Sequence, residues 1–433
     1  MELIDLKPIA ENLFHILPQE DFLSKDASDI ELAVQSLANR LASVLMQDFI
    51  LPARISQIQA QVADGSLPCR DCKQPLRLHK QDQPIHLKTI FGKAITLSRH
   101  QYVCPACHTY SSAADAQLGL IGRQMTPRLA LVVALCGASW SYAVASAFLD
   151  FLLGVEVSAK TVELVSADER IKQEALPVEP LDHPPGVTGC DGVLIRGRRK
   201  DQWLEMKVGC FFSTISPTSE SRSEVLDASF VASEVEQWKE FVPMVTEEAF
   251  RRGLDCTEEV EFVGDGAEGI WSLQEMVFPY AKTRLDLYHA KKKVSHRTGQ
   301  AYKNNPAKEK HRAALTSYLE SGEVAEAVSY ISKHNPRDGW KKEAARKLIN
   351  YLKRHQSHIP NYEEIKAAGG TVSSGLIEKG NDLVVVRRMK DRQMHWSRAG
   401  AGPVIKHRTR FINRGARTRT GPYDLAFCRQ AVQ

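Results

Sequence analysis

Two cysteine pairs carry the sharpest local signal in this 433-residue chain. Cys69-x-x-Cys72 and Cys104-x-x-Cys107 each bend the backbone so that two thiols converge. Two such turns brought together offer Zn²⁺ a tetrahedral four-sulfur shell. A redox dithiol needs only one pair, so the doubled motif points to structural zinc, with His108 as an alternative ligand. The 31 residues between the pairs exceed the spacing of a tight finger, but a hairpin spans them. Five further cysteines, Cys190 among them, stand singly and read as packing.

Three acids form a second set. Asp191, between Gly189-Cys190 and Gly192, interrupts an apolar strand, where an acid is out of place unless it faces a polar site. Asp265, in Val263-Gly264-Asp265-Gly266, sits where an apolar strand ends and a helix begins, the usual ligand position of α/β sheets. Glu378 follows a Gly-Gly and Ser-Ser turn and opens a helix. Gathered together, three carboxylates are hard oxygen ligands suited to Mg²⁺ or Mn²⁺. Two such ions, about 3.5–4 Å apart, activate an attacking oxygen and stabilise a leaving one in phosphodiester chemistry. Each acid alone has a plainer reading, because Asp before Gly also serves in turns and helix caps.

The elements that must position these groups follow from periodicity. Apolar residues at helical spacing over 28–52, behind a Ser28 or Asp29 cap, predict a helical start. Ile85-His86-Leu87 and Ile95-Thr96-Leu97 flank a Phe91-Gly92-Lys93 turn and predict a hairpin between the cysteine pairs. Leu129 to Leu149 holds no charge and is long enough to span a bilayer. Its small and polar residues, and the Thr126-Pro127 helix start, predict two packed helices instead, with no membrane partner. The second helix, a turn through Val155-Glu156-Val157 and a third helix capped by Ser158 form a candidate helix-turn-helix. After the boundary EPLDHPPG come three strand-like segments, a helix over about 232–252, an apolar strand and another helix, which is an α/β order. From Ala290 to about Lys366 the chain reads as polar helices. The resulting division is 1–60 helical, 61–118 zinc ribbon, 119–180 helical and DNA-binding, 185–292 the first part of the core, 293–370 a helical insertion, and 371–433 a Glu-bearing helix with a basic tail.

Composition sets the frame. With 43% apolar and 25% charged residues, the chain is neither a disordered tail, a collagen-like fibre nor a coiled-coil rod. The first twenty residues place Glu2, Asp5 and Glu11 where an export signal needs a basic end and an apolar core. Together with sparse cysteines this predicts a reducing, cytoplasmic setting. The net charge is only +5, but it is segregated: residues 379–433 carry 13 basic and 3 acidic side chains, and 219–268 carry 4 basic and 14 acidic. A second basic stretch, Lys282 to Arg312, centres on Lys291-Lys292-Lys293. Such segregation predicts phosphate contacts, above all from the arginine-rich tail with Arg387, Arg388, Lys390 and Arg392. A solvated helical face would also account for the lysine run. Trp340 and Trp396 are candidates for stacking on an unpaired base, or for core.

Cys190-Asp191-Gly192, then VGDGAEGIW, FPYAKTRLDLYHAKKKV and SSGLIEKGNDLVVVRRMKDRQMHWSRAGA, in that order, resemble the bacterial insertion-sequence transposases of the ISKra type, a group of DDE enzymes. The resemblance covers roughly residues 185–430, and the cysteine pairs before it suit the same family. It implies an α/β, RNase H-like catalytic core with a helical insertion, preceded by a zinc ribbon and helical DNA-binding segments. In that core Asp191, Asp265 and Glu378 would be the metal-binding catalytic triad. Asp286-x-x-His289 is similar to a motif that follows the second acid in several DDE groups, although a hydrogen-bonded core histidine fits His289 equally. The resemblance further implies terminal inverted repeats and target DNA as partners, a homo-oligomer on DNA, and a nucleoid-associated location. A transposase-derived DNA-binding protein, or an RNase H-like nuclease without strand transfer, are the alternatives.

Overall fold

The computed structural model describes residues 26–120, 124–171, 186–219, 222–254, 260–337, 339–368, 372, 375–391 and 394–417. The chain divides into two compact units, Met1–Gln173 and Glu174–Gln433. The expected boundary EPLDHPPG lies, apart from Gly186, outside the described residues.

In the first unit, helix α1 (Ala27–Val44) starts behind Asp26, whose carboxylate accepts the Asp29 N–H at 2.9 Å. The cap is thus Asp26 rather than the expected Ser28 or Asp29, because only Asp26 has the extended backbone that turns its side chain back onto the first free N–H groups. A π-helical turn, Leu45–Ile50, leads into α2 (Leu51–Ala63). Strands β1 (Arg77–Leu87) and β2 (Ile95–Val103) form the expected hairpin, with Ile85 opposite Leu97, His86 opposite Thr96 and Leu87 opposite Ile95. The period of two puts Ile85, Leu87, Ile95 and Leu97 on one buried face, against Ile55 of α2 and Ala114 of α3 (Ala113–Gln117). A short β3 (Tyr110–Ser111) adds to β2.

The uncharged stretch is two helices, α4 (Pro127–Ser139) and α5 (Tyr142–Leu153). Thr126 caps α4 by accepting the Leu129 N–H, with Pro127 in its first turn. Gly154, at φ 61°, ends α5, and Ser158 caps α6 (Ala159–Ser166). This is the helix-turn-helix arrangement that the sequence predicts. Leu129, Val133, Ala145, Leu149, Val162 and Val165 form its buried core. Among the described residues no helix is long and apolar enough to cross a membrane.

The second unit is built on a mixed five-stranded sheet ordered β6-β5-β4-β7-β8, where β4 is Val187–Arg196, β5 Trp203–Ser219, β6 Arg222–Ser233, β7 Glu261–Gly264 and β8 Lys282–Leu285. The first three strands are antiparallel neighbours, and β7 and β8 add in parallel. Sequence reading missed β8, because four residues with Lys282 and Arg284 among them show too little apolar alternation. Helix α7 (Trp238–Arg251) is shorter at its start than expected, since β6 runs on to Ser233. It packs on one face of the sheet with α8 (Glu268–Val277).

The same apolar cluster continues from Phe211, Phe241 and Phe262 into the helices between β8 and the last segment. These are α9 (Leu287–Ala301), α10 (Lys308–Glu320), α11 (Val324–Lys333), α12 (Gly339–Arg354) and α13 (Tyr362–Ala367). The opposite face receives α14 (Gly375–Asn381) at two glycines. A β-carbon at Gly189 would overlap Ile377, and one at Gly380 would overlap Cys210 Sγ and Phe230, so the helix backbone lies directly on β4 and β5. A π-helical turn, Asp382–Val386, carries α14 into α15 (Arg387–Met389). Helix α16 (Arg398–Arg417) then runs along β6, where Asn413 accepts the Phe230 N–H and donates to its carbonyl, satisfying the sheet edge.

Candidate active site and metal centre

The cysteine site is assembled by two matching turns. Each C-x-x-C pair is followed by a residue in the left-handed region, Lys73 at φ 60° and His108 at φ 57°. In each turn that residue's N–H donates to the carbonyl of the first cysteine, Lys73 to Cys69 at 3.0 Å and His108 to Cys104 at 2.9 Å. Cys69 Sγ lies 3.7 Å from Cys107 Sγ, Cys72 Sγ lies 3.3 Å from Cys104 Sγ, and all four sulfurs fall within 4.8 Å of one another. Hydrogen bonds from Thr109 draw the Cys107 thiol down to about 6, toward the thiolate that a metal requires. The four cysteines can therefore hold a metal such as zinc. His108 contributes its backbone conformation and stays exposed, outside the four-sulfur set.

The acids are brought together by strand register. On β4 and β7, Val187 pairs with Glu261, Thr188 with Phe262 and Gly189 with Val263, the same offset of 74 positions that separates Asp191 from Asp265. Asp191 stands two residues past the last of these pairs on β4, and Asp265 two residues past it on the other strand, one beyond the end of β7; the Asp265 charge acts on Asp191. Asp191 Oδ1 accepts the Gly192 N–H at 2.7 Å, and Oδ2 accepts Asn381 Nδ2 at 2.6 Å. Burial pushes the Asp191 carboxyl up to about 6 and the Asp265 charge adds to the rise, while the Gly192 N–H, His289 and Asn381 oppose it. Asp265 Oδ1 accepts the Ala267 N–H at 2.8 Å, so it also serves its turn.

Glu378 and Asn381 are three positions apart on α14 and so share a helix face. With Asn381 bonded to Asp191, that face turns Glu378 toward the same end of the sheet, and its Oε1 lies 3.8 Å from His289 Nε2. His289 is pinned from behind by fully buried Asp286, whose Oδ1 is 2.8 Å from His289 Nδ1 and accepts the His289 N–H at 2.5 Å, capping α9. Asp286 in turn donates its N–H to Gly264 O at 2.8 Å, tying the end of β8 to the end of β7, one residue before Asp265. The Asp286 hydrogen bond lifts the His289 pKa against its burial, and Glu378 and Asp265 add to the rise. His289 is thus half-buried and hydrogen-bonded, yet it faces the acids. The acidic set is wider than the cysteine site, spaced around this imidazole.

Two neighbours escaped sequence reading. Asn381 was visible only as a polar residue one helical turn after Glu378. His355, just after α12, is buried, and burial pushes its pKa down to about 4. Its distance in sequence from every acid hid it.

The basic tail divides between surface and core. Arg387 is at the surface, 2.8 Å from Asp382, and Lys390 is exposed. Arg388, expected to meet phosphate, is 2% exposed, with its guanidinium 4.8 Å from the Trp396 ring centroid and Nη1 on Met394 Sδ. It is a core cation, because the π-helical turn rotates the helix by one residue and swings Arg388 inward. The same turn frees the Leu383 carbonyl, which buried Arg408 takes with Nε at 3.0 Å and Nη2 at 2.6 Å. Arg392 lies outside the described residues. Trp396 is core, donating Nε1–H to Met389 O, whereas Trp340 is 54% exposed beside Lys303 and Lys341.

No protein-family model matches the chain, and comparison with curated proteins finds no match either.

Proposed function

We propose that the protein is a DDE-type transposase that cleaves the ends of an insertion sequence and joins them to target DNA, on an RNase H-like core. What supports this reading is the chain of links among the three acids on a β6-β5-β4-β7-β8 sheet: Asp265 acts on the Asp191 carboxyl, Asp191 accepts from Asn381 one helical turn after Glu378, and Glu378 lies 3.8 Å from His289, with the helices α9 to α13 between the second and third acid.

By donor type the set would suit divalent magnesium or manganese: it offers hard oxygens, and the half-buried Asp191 carboxyl, raised by desolvation and by Asp265, is a charge that a cation would relieve, although among the described residues only the four cysteines bring their ligand atoms within 4.8 Å of one another. Asp191, Asp265 and Glu378 would hold the ions, which when bound supply charge neutralisation at the attacking and leaving oxygens. The chain's own groups do the rest. Asn381 and the Gly192 N–H fix both oxygens of Asp191, and Asp286 fixes His289 Nδ1 so that Nε2 faces Glu378. In the first step a water oxygen forms a bond to phosphorus and the 3′ oxygen leaves as a hydroxyl. In the second, that hydroxyl attacks a target phosphodiester and a target 3′-hydroxyl departs. The four-cysteine unit, as a zinc ribbon, and the α5–α6 pair would recognise the element ends, while Arg387 and Lys390 would contact phosphate.

The test uses DNA flanking the gene, supplied both intact and as pre-cleaved ends with a supercoiled plasmid. Cleavage and plasmid joining, both lost in Asp265→Asn and Glu378→Gln with DNA affinity kept, are expected. Cleavage without joining would leave a nuclease, and binding without cleavage a DNA-binding protein.

A further inference from the structure

The helical insertion carries a larger excess of positive charge than the chain as a whole. Over residues 287–367 it holds 17 lysines and arginines against 8 acids, an excess of nine where the full chain has five. Part of that charge is met internally, since Glu309, Glu320 and Glu343 each pair with two basic side chains of the insertion. Lys303 and Lys342 are different. Both are exposed, and neither has a carboxylate within ion-pair distance among the described residues. Charge left over in this way attracts an anionic partner.

Trp340 stands among these cations. It lies in the first turn of α12, next to Gly339, and is 54% exposed. Lys303 Nζ, from two residues past the end of α9, lies 5.8 Å from its ring centroid, and Lys341 Nζ lies 5.6 Å from it. The turn after α9 and the start of α12 therefore meet at one exposed indole. The core of a protein–protein interface surrounds its aromatic anchors with apolar groups and is depleted of lysine. An indole attended by ammonium groups suits another partner: its flat π-face takes a flat ring, and the cations beside it take an anion joined to that ring. A nucleotide has both parts. A base stacked on Trp340 would displace an ammonium from the ring, and the ammonium would find the phosphate of the same nucleotide. Within a duplex each base has its faces covered by its neighbours, so the site selects a base that is unpaired.

We propose that Trp340 is a stacking platform for an unpaired nucleobase, with Lys303 as the ligand of its phosphate. The proposal rests on the reading of DNA as the substrate. It deepens that reading by giving the helical insertion a task of its own, the capture of a single-stranded or frayed end.

Fluorescence anisotropy in EDTA tests this, with the full chain and two labelled probes, a thymidine oligonucleotide and a blunt duplex of the same length. Stacking of one base on an aromatic ring is worth about 10-fold in affinity, so Trp340→Ala should weaken single-strand binding about 10-fold and leave the duplex unchanged, while Trp340→Phe should keep most of the parental affinity. Lys303→Ala should lower the single-strand salt slope by about 0.7, the mark of one lost phosphate contact. Trp340 is at the surface, so its replacement should leave the melting temperature where it is. Parental single-strand affinity in Trp340→Ala would overturn the platform and leave the indole to a protein partner. A loss of equal size on both probes, or one accompanied by a lowered melting temperature, would overturn it in favour of a structural role. A parent that binds neither probe would remove the DNA reading and the platform with it, whereas failure of the metal-holding role of the acids would leave these metal-free measurements untouched.

Discussion

Replacing Asp191 by asparagine should stabilise the metal-free protein at neutral pH. The carboxyl is raised from 3.8 to about 6, chiefly by burial and further by the Asp265 charge, so the folded chain holds its proton more tightly than the unfolded chain does. For an acid raised on folding, ionisation opposes folding, and stability falls as pH rises through the window from about 4 to about 6. Above that window the cost is complete, about 3 kcal/mol as an upper figure from the size of the shift. The asparagine carries no such charge. Its amide can also be accommodated, because Asn381 Oδ1 is buried without a hydrogen-bond partner and becomes an acceptor when the Asn381 amide turns over. Thermal melts in EDTA should place Asp191→Asn about 2–3 kcal/mol above the parent at pH 7.5, or about 5–10 °C for a unit of this size, with the gap closing below pH 4. Added Mg²⁺ should raise the parent and leave the variant unmoved. A variant less stable than the parent at pH 7.5, or a difference that does not change between pH 4 and 8, would refute the claim that Asp191 is a desolvated, repelled charge.

Purified protein should contain about one zinc per chain, lost in the Cys104→Ser, Cys107→Ser double variant and kept in His108→Ala, as metal analysis will show. Arg387→Ala should weaken DNA binding alike across sequences and lower the salt slope by about one unit, whereas an effect confined to one sequence would indicate base reading. Arg388→Ala should instead lower the unfolding midpoint, by about 2 kcal/mol or more, because it empties a packed site on Trp396; chemical denaturation checks this. Arg408→Ala should cost about 1–3 kcal/mol by stranding the Leu383 carbonyl, with little change in the salt dependence of DNA binding.

The two sites were legible in the sequence to different depths, for physical reasons. A C-x-x-C pair is a local device, because four residues suffice to aim two sulfurs, and a hairpin of alternating Ile85, Leu87, Ile95 and Leu97 announces what joins the pairs. The helix starts at Thr126 and Ser158 are equally local, since a cap needs only the next three residues. The acids were visible as misfits, an Asp inside a strand and an Asp at a strand end, but their meeting depends on register between strands 74 positions apart. Asn381 and His355 were out of reach because neither has a local signal, and each is placed only by where α14 and the end of α12 come to rest. The arginine tail misled by composition. Counting charges cannot distinguish Arg387 from Arg388, which differ by one residue and by whether a π-helical turn points them at solvent or at Trp396.

That last distinction bears on how a basic segment and an acidic site coexist on consecutive turns of one helix. Glu378 stays at the surface, its side chain 47% exposed. The helix that carries it can lie on the sheet only through the bare backbones at Gly189 and Gly380. A regular helix continued from there would keep Arg387 and Arg388 on a course set by Glu378. Inserting a π-helical turn at Asp382–Val386 resets that course, buries Arg388 under Trp396, and leaves a carbonyl that Arg408 must fill. Two of the tail's arginines are therefore consumed in holding the Glu378 helix against the core. Any phosphate contact near the acids falls to residues such as Arg387 and Lys390, which the same turn leaves at the surface.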